Sequence, residues 1–271
     1  MRLQVNGAEV YAATGGREFD PELPLVVFLH GVGFDHTVWQ LLSRWFAHRG
    51  AAVLAPDLPG HGVSGGAPLK SIAEMADWTA ALIEAAGAKQ ATLFGHSMGS
   101  LIAVETAARH PSKVTALALI CTAAEMRVSQ ALLDAAKADD HAAIDMINLW
   151  GHGHRATLGG SLAPGVWMLG GAEKVLERAS SGLIYNDLAA CNEYKGALEA
   201  AAKVKVPVTV VLGERDAMTP AASGRNLAKA LPDSRLTVLA GAGHMPMSER
   251  PDELLTAVRH LAPGNKLVTS R

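Results

Sequence analysis

Short apolar runs alternate with longer stretches in which apolar residues recur at helical spacing. Leu25-Val26-Val27-Phe28-Leu29 is continuously apolar, the pattern of a strand covered on both faces. Residues 51–55, 91–94, 114–120, 208–212 and 236–239 read the same way. Between them, residues 36–48, 71–86, 98–110, 221–231 and 252–261 carry helical patterns. Strand and helix in repeated alternation predict a mainly parallel sheet with helices on both faces. Leu3-Gln4-Val5 and Val10-Tyr11-Ala12 flank Asn6-Gly7, a dipeptide suited to a tight hairpin, so an antiparallel pair should open the sheet.

The alternation stops between about Ala123 and Val206. Residues 131–138, 140–149, 173–183 and 187–201 look helical there, and a Gly-rich stretch runs from Gly151 to Gly171. A structureless loop of that length does not suit a compact domain, so the segment reads as a helical cap inserted between two core strands. The expected organisation is a core of residues 1–122 and 207–271 with a cap of residues 123–206. Pro263 to Arg271 is expected to be a frayed tail.

Composition narrows the function classes. The 271 residues are 49% hydrophobic and 18% charged, which is globular and not disordered. A net charge of −2 gives no electrostatic reason to bind nucleic acid or an anionic membrane. No apolar stretch approaches a membrane span of about 20 residues. The first residues lack the apolar core of a signal peptide, and the two cysteines, Cys121 and Cys191, fit a reducing compartment. A cytoplasmic protein acting on a small molecule is expected, and the oligomeric state is open.

Gly95-His96-Ser97-Met98-Gly99 follows a strand pattern and precedes a helical one. In that context G-x-S-x-G describes a strained strand-to-helix turn that lifts a serine hydroxyl above the sheet edge. Outside that context the same five letters are an ordinary glycine-rich turn. Serine needs a base, and histidine is the usual one near neutral pH. Of eleven histidines, His244 lies in Gly241-Ala242-Gly243-His244, the loop after the last strand, where it can reach the carboxyl edge of the sheet. Asp216, in the loop after the preceding strand, can orient it, with Glu214 as the competing acid. Amides of Val32, in His30-Gly31-Val32-Gly33, and of Met98 are the candidate oxyanion donors, and His30 is expected to hold that loop.

These segments, with Asp57-Leu58-Pro59-Gly60-His61-Gly62-Val63-Ser64, resemble the α/β-hydrolase superfamily in its serine branch with a helical cap. The resemblance implies a mostly parallel, eight-stranded twisted sheet flanked by helices, with an inserted cap. It carries the triad onto Ser97, Asp216 and His244 and the oxyanion amides onto Val32 and Met98, and it gives Asp57 and His61 loop-shaping roles without chemistry. It also disfavours epoxide hydrolases and haloalkane dehalogenases, which use aspartate at the nucleophile turn.

Cap residues Met146, Trp150, Trp167 and Met168, with Leu149 and Leu169, are candidates for the substrate pocket or for plain packing. Trp39 reads as core. His152 and His154, even with His141 added, lack a convincing set of metal ligands, so neither metal nor cofactor is expected. The leading expectation is ester hydrolysis through an acyl-enzyme. The alternatives are a carbon–carbon bond hydrolase of aromatic catabolism, weakened by Phe34-Asp35-His36 after the oxyanion loop, a cofactor-free perhydrolase, and a small-molecule receptor.

Overall fold

A computed structural model describes residues 1–160 and 167–263. The expected tail from 264 onward and part of the Gly-rich stretch, residues 161–166, lie outside the described residues. The eight strands are β1 Arg2–Val5, β2 Ala8–Ala13, β3 Leu25–Leu29, β4 Ala52–Pro56, β5 Ala91–His96, β6 Val114–Ile120, β7 Val208–Gly213 and β8 Ser234–Leu239. They form one sheet in the order β1-β2-β4-β3-β5-β6-β7-β8. β1 pairs with β2, and β2 with β4, antiparallel; every later pairing is parallel. Asn6 and Gly7 both take positive φ, 50° and 82°, which is the geometry a two-residue hairpin demands.

Period-two alternation divides the sheet's side chains between two layers. Leu25, Val27 and Leu29 join the cluster under α2 (Ile72–Ala85) and α3 (Met98–Arg109), whereas Val26 and Phe28 join the one under α1 (Gln40–Ala47). The helix expected over 36–48 opens with a 3₁₀ turn, His36–Trp39, because the Asp35 side chain accepts the Thr37 amide and caps that turn. Trp39 is fully buried against Phe28, as a core residue.

Between β6 and β7 lie α4 (Gln130–Lys137), α5 (Ala142–Gly151), α6 (His154–Thr157), α7 (Met168–Leu176), α8 (Leu183–Glu193) and α9 (Ala197–Lys203). Two helices anticipated here have different ends. The one expected over 173–183 starts at Met168 and stops at Leu176; Asp139 then accepts the Gly182 amide, and Gly182 turns at φ 75° into α8. The single helix expected over 187–201 is two. Tyr194 leaves helical geometry, its hydroxyl donates to Glu105 of α3, and the chain then seats Ala197, Ala200 and Ala201 of α9 in the core cluster that includes α3. After β7 come α10 (Ala221–Ala230), α11 (Pro246–Glu249) and α12 (Pro251–Val258).

β4 lies on one side of β3 and β5 on the other, so the chain reverses its winding direction there. The crevice at the carboxyl ends of such a pair of strands is where open α/β sheets bind ligands. The loops leaving β3 and β5 are those of Gly31-Val32-Gly33 and Ser97.

Candidate active site

Ser97 follows β5 with φ 52° and ψ −119°, a conformation an L-residue adopts only under constraint. The constraint is close packing. A Cβ on Gly95 would stand 2.1 Å from the Gly99 carbonyl oxygen, and one on Gly99 would stand 2.2 Å from that of Leu29. Only glycine at both positions lets α3 approach the sheet this closely. Met98 is the first residue of α3, so its amide has no acceptor within the helix. Val32 lines the same cavity as Ser97.

His244 is 5% exposed, and its Nδ1 lies 2.8 Å from Asp216 Oδ2. Asp216 also accepts the amides of Met218 and Thr219 through Oδ1, at 2.9 and 2.8 Å, and lies 2.7 Å from the Thr219 hydroxyl through Oδ2. Burial alone would raise the Asp216 carboxyl, but His244 and these hydrogen bonds outweigh it and hold the group below its ordinary range. An ionised carboxylate can only accept. The His244 proton therefore sits on Nδ1, which leaves the Nε2 lone pair free. Glu214 is occupied elsewhere, accepting the Gly241 amide on the surface.

Among the described residues no hydrogen bond joins the Ser97 hydroxyl to His244, whose side chain bonds Asp216 and Thr219. Catalytic contacts of this kind often tighten only when substrate arrives. The two residues are connected through His96, the immediate neighbour of Ser97. His96 Nε2 donates to the His244 carbonyl at 2.7 Å. Burial first, then the neighbouring His244, pushes His96 down to about 3, so it is a neutral strut at any working pH.

A second carboxylate holds the histidine loop. Buried Glu249 accepts the amides of Gly243 and Met245 and, from the insertion, Gly153, while the His244 amide donates to the Gly151 carbonyl at 2.9 Å. His96 lies within the G-x-S-x-G motif, and Thr219 and Glu249 lie close in sequence to Asp216 and His244, but nothing in their spacing assigned them these partners. His30 does hold its loop: Nδ1 donates to the Gly31 carbonyl and Nε2 accepts the Leu58 amide. Burial, then nearby His61, lowers it to about 4. Asp57 accepts the amides of His36 and Val63 and His36 Nδ1.

Over Ser97 lies a cavity of about 170 Å³, lined mainly by apolar groups that include Val32, Met126, Leu132, Trp150 and Leu188. Of the pocket candidates, Trp150 lines it. Trp167 and Met168 line a different cavity, of about 240 Å³, beside Phe34 and Met245. Met146 packs against the core cluster, Leu149 is exposed, and the Leu169 carbonyl accepts from Asn148. His152 and His154 do not converge: His152 is buried with Nδ1 on the Asn148 carbonyl, and His154 is exposed. His141 lies instead in a surface cluster with Glu173 and Glu177. Cys121 and Cys191 are both buried free thiols.

Residues 24–251 match the family model for the alpha/beta hydrolase fold, and the chain belongs to that family. It is a hydrolase within it. It is 30% identical over 258 residues to a pimeloyl-[acyl-carrier protein] methyl ester esterase of Aromatoleum aromaticum, covering 89% of this chain and 99% of that one. The corresponding esterase of Chromobacterium violaceum is 32% identical over 252 residues, 88% of this chain and 94% of that one. Among solved structures, the enol-lactonase from Burkholderia xenovorans LB400 superposes with a TM-score of 0.84 at 25% identity, covering 96% of this chain and 99% of that one. No helix among the described residues is long and apolar enough to cross a membrane.

Proposed function

We propose that Ser97, His244 and Asp216 hydrolyse a small carboxylic ester through an acyl-enzyme. The observation that carries this is the strained Ser97 turn, in one cavity with Thr219 and beside the buried His244–Asp216 pair. Ser97 Oγ attacks the ester carbonyl as His244 Nε2 takes its proton. The oxyanion that forms is met by the amides of Val32 and Met98, each such donor lowering the barrier by about 3 to 4 kcal/mol. His244 then returns the proton to the leaving alcohol and activates water for the second half-reaction. Asp216 fixes the tautomer and compensates the imidazolium.

The cavity, about 170 Å³, is smaller than the roughly 300 Å³ at which pockets enclose drug-sized ligands. It suits a short alcohol or the carbonyl end of an acyl chain. The relatives that act on methyl esters support a small alcohol of that kind. The likeness to an enol-lactonase favours a second reading, a lactone whose alcohol stays tethered to the acyl group. In both readings residues 123–206 act as a cap: α4, α5 and α8 contribute Leu132, Trp150 and Leu188 to the cavity, and α9 anchors the cap to α3. The two buried free thiols fit a cytoplasmic location.

The test is turnover of a p-nitrophenyl ester together with fluorophosphonate labelling, repeated for Ser97→Ala. Both signals should vanish while the circular dichroism spectrum is unchanged. Retained turnover in the variant refutes the assignment. A panel of methyl esters and lactones then separates the two readings.

A further inference from the structure

Asp187, on α8 of the insertion, is a fully buried carboxylate that no step of the reaction uses. Its Oδ2 accepts the Gly33 amide at 3.0 Å and bonds His61 Nε2 at 2.8 Å. Gly33 is the residue after Val32, in the loop that offers the oxyanion amide. The other nitrogen of His61, Nδ1, faces the Pro59 carbonyl at 3.1 Å. Both partners of this ring are acceptors, so both nitrogens carry protons and His61 is an imidazolium. Charged groups around it are Asp187 and, further off, Asp57; the His30 ring packs on it at 4.8 Å and is neutral.

The result is a buried ion pair between the loop after β4 and the insertion, with the oxyanion loop as its third member. Gly33 itself sits under the insertion: with φ 66°, its missing Cβ would stand 3.0 Å from Leu176 and 3.1 Å from Ile184. A charge in that position is expensive to bury, and it is compensated here only while His61, Gly33 and α8 are all in place.

We infer that Asp187 is a positioning residue that sets the oxyanion loop, so that the Val32 amide is aimed correctly only when α8 is docked. This rests on the acyl-transfer reading above. Asp187 touches no reacting atom; it acts through Gly33. Removing its charge should therefore weaken binding of the transition state more than binding of the substrate.

The experiment is Asp187→Asn in the full chain, with active sites counted by fluorophosphonate labelling run to completion. The expected result is a kcat per labelled serine at least 10-fold lower, a KM within about threefold, and affinity for a trifluoromethyl ketone reduced by the same factor as kcat. A variant that only melts earlier, with kcat per serine within twofold of the parent, overturns the inference. If the variant does not fold, hydrogen exchange in the unaltered protein decides. The Gly33 amide should then exchange with the amides of α8, as one opening unit; exchange 10-fold faster than α8 overturns the proposal. That measurement needs no catalysis, so it stands apart from the Ser97→Ala test of the reaction itself.

Discussion

The imidazole of His96 lies against that of His244 with ring centroids 4.8 Å apart, and the two rings have opposite duties. One holds a backbone carbonyl and stays neutral. The other is the base in the reaction we propose. Because His96 is the residue between Gly95 and Ser97, one turn carries both the proposed nucleophile and the strut that holds the backbone of its proposed base.

Neutral buried histidines make the fold acid-sensitive in a defined window. In the unfolded chain His96 and His30 take up protons near 6.5, but in the folded protein they do so only at about 3 and about 4. The unfolded state thus binds more protons as pH falls below 6.5, and stability falls with it, by about 1.4 kcal/mol per pH unit for each histidine. Above pH 6.5 neither contributes a slope. His96→Gln keeps an N–H for the His244 carbonyl and cannot titrate. Urea melts between pH 4.5 and 6.5 should show its slope reduced by about 1.4 kcal/mol per unit. An unchanged slope would mean that His96 is not neutral in the folded protein.

Asp216→Asn should leave the loop in place and lower kcat by about 10³- to 10⁴-fold, because an amide no longer enforces the Nδ1–H tautomer of His244. Glu214→Gln, on the surface with the Gly241 amide, should change kcat less than twofold. Steady-state kinetics on a p-nitrophenyl ester separates the two acids; the reverse ranking would reassign the orienting role.

Gly99→Ala should abolish soluble expression or cost several kcal/mol. Its Cβ would meet the carbonyl oxygens of Leu29 and His30 at 2.2 and 2.7 Å, and both belong to the chain at the end of a central strand that cannot retreat. Gly171→Ala is the control. It lies in α7 with no neighbour among the described residues within 4 Å of the added carbon, and alanine there should stabilise by up to about 1 kcal/mol. Thermal melting of the two variants checks the contrast.

Much of this was legible in the amino-acid order. β3 and β6 have the bounds their apolar runs indicate, and β8 begins two residues early at Ser234, where an edge strand is exposed and the apolar signal fades. The insertion was legible as helical but not in its helix ends. Tyr194 and Gly182 end or start helices through partners in α3 and at Asp139, which no periodicity reveals. Trp150 and Trp167 looked equivalent as pocket residues, yet they line different cavities.

By itself the sequence determined the strand–helix alternation, the hairpin at Asn6-Gly7 and the turn that carries Ser97. Each depends on local backbone geometry, which side-chain period and glycine placement constrain directly. Tertiary structure alone decided that Glu214 turns to the Gly241 amide, that His61 is charged, and that Asp187 reaches the Gly33 amide across 154 positions. Those outcomes turn on distances of about 3 Å between segments whose order along the chain says nothing about how closely they pack.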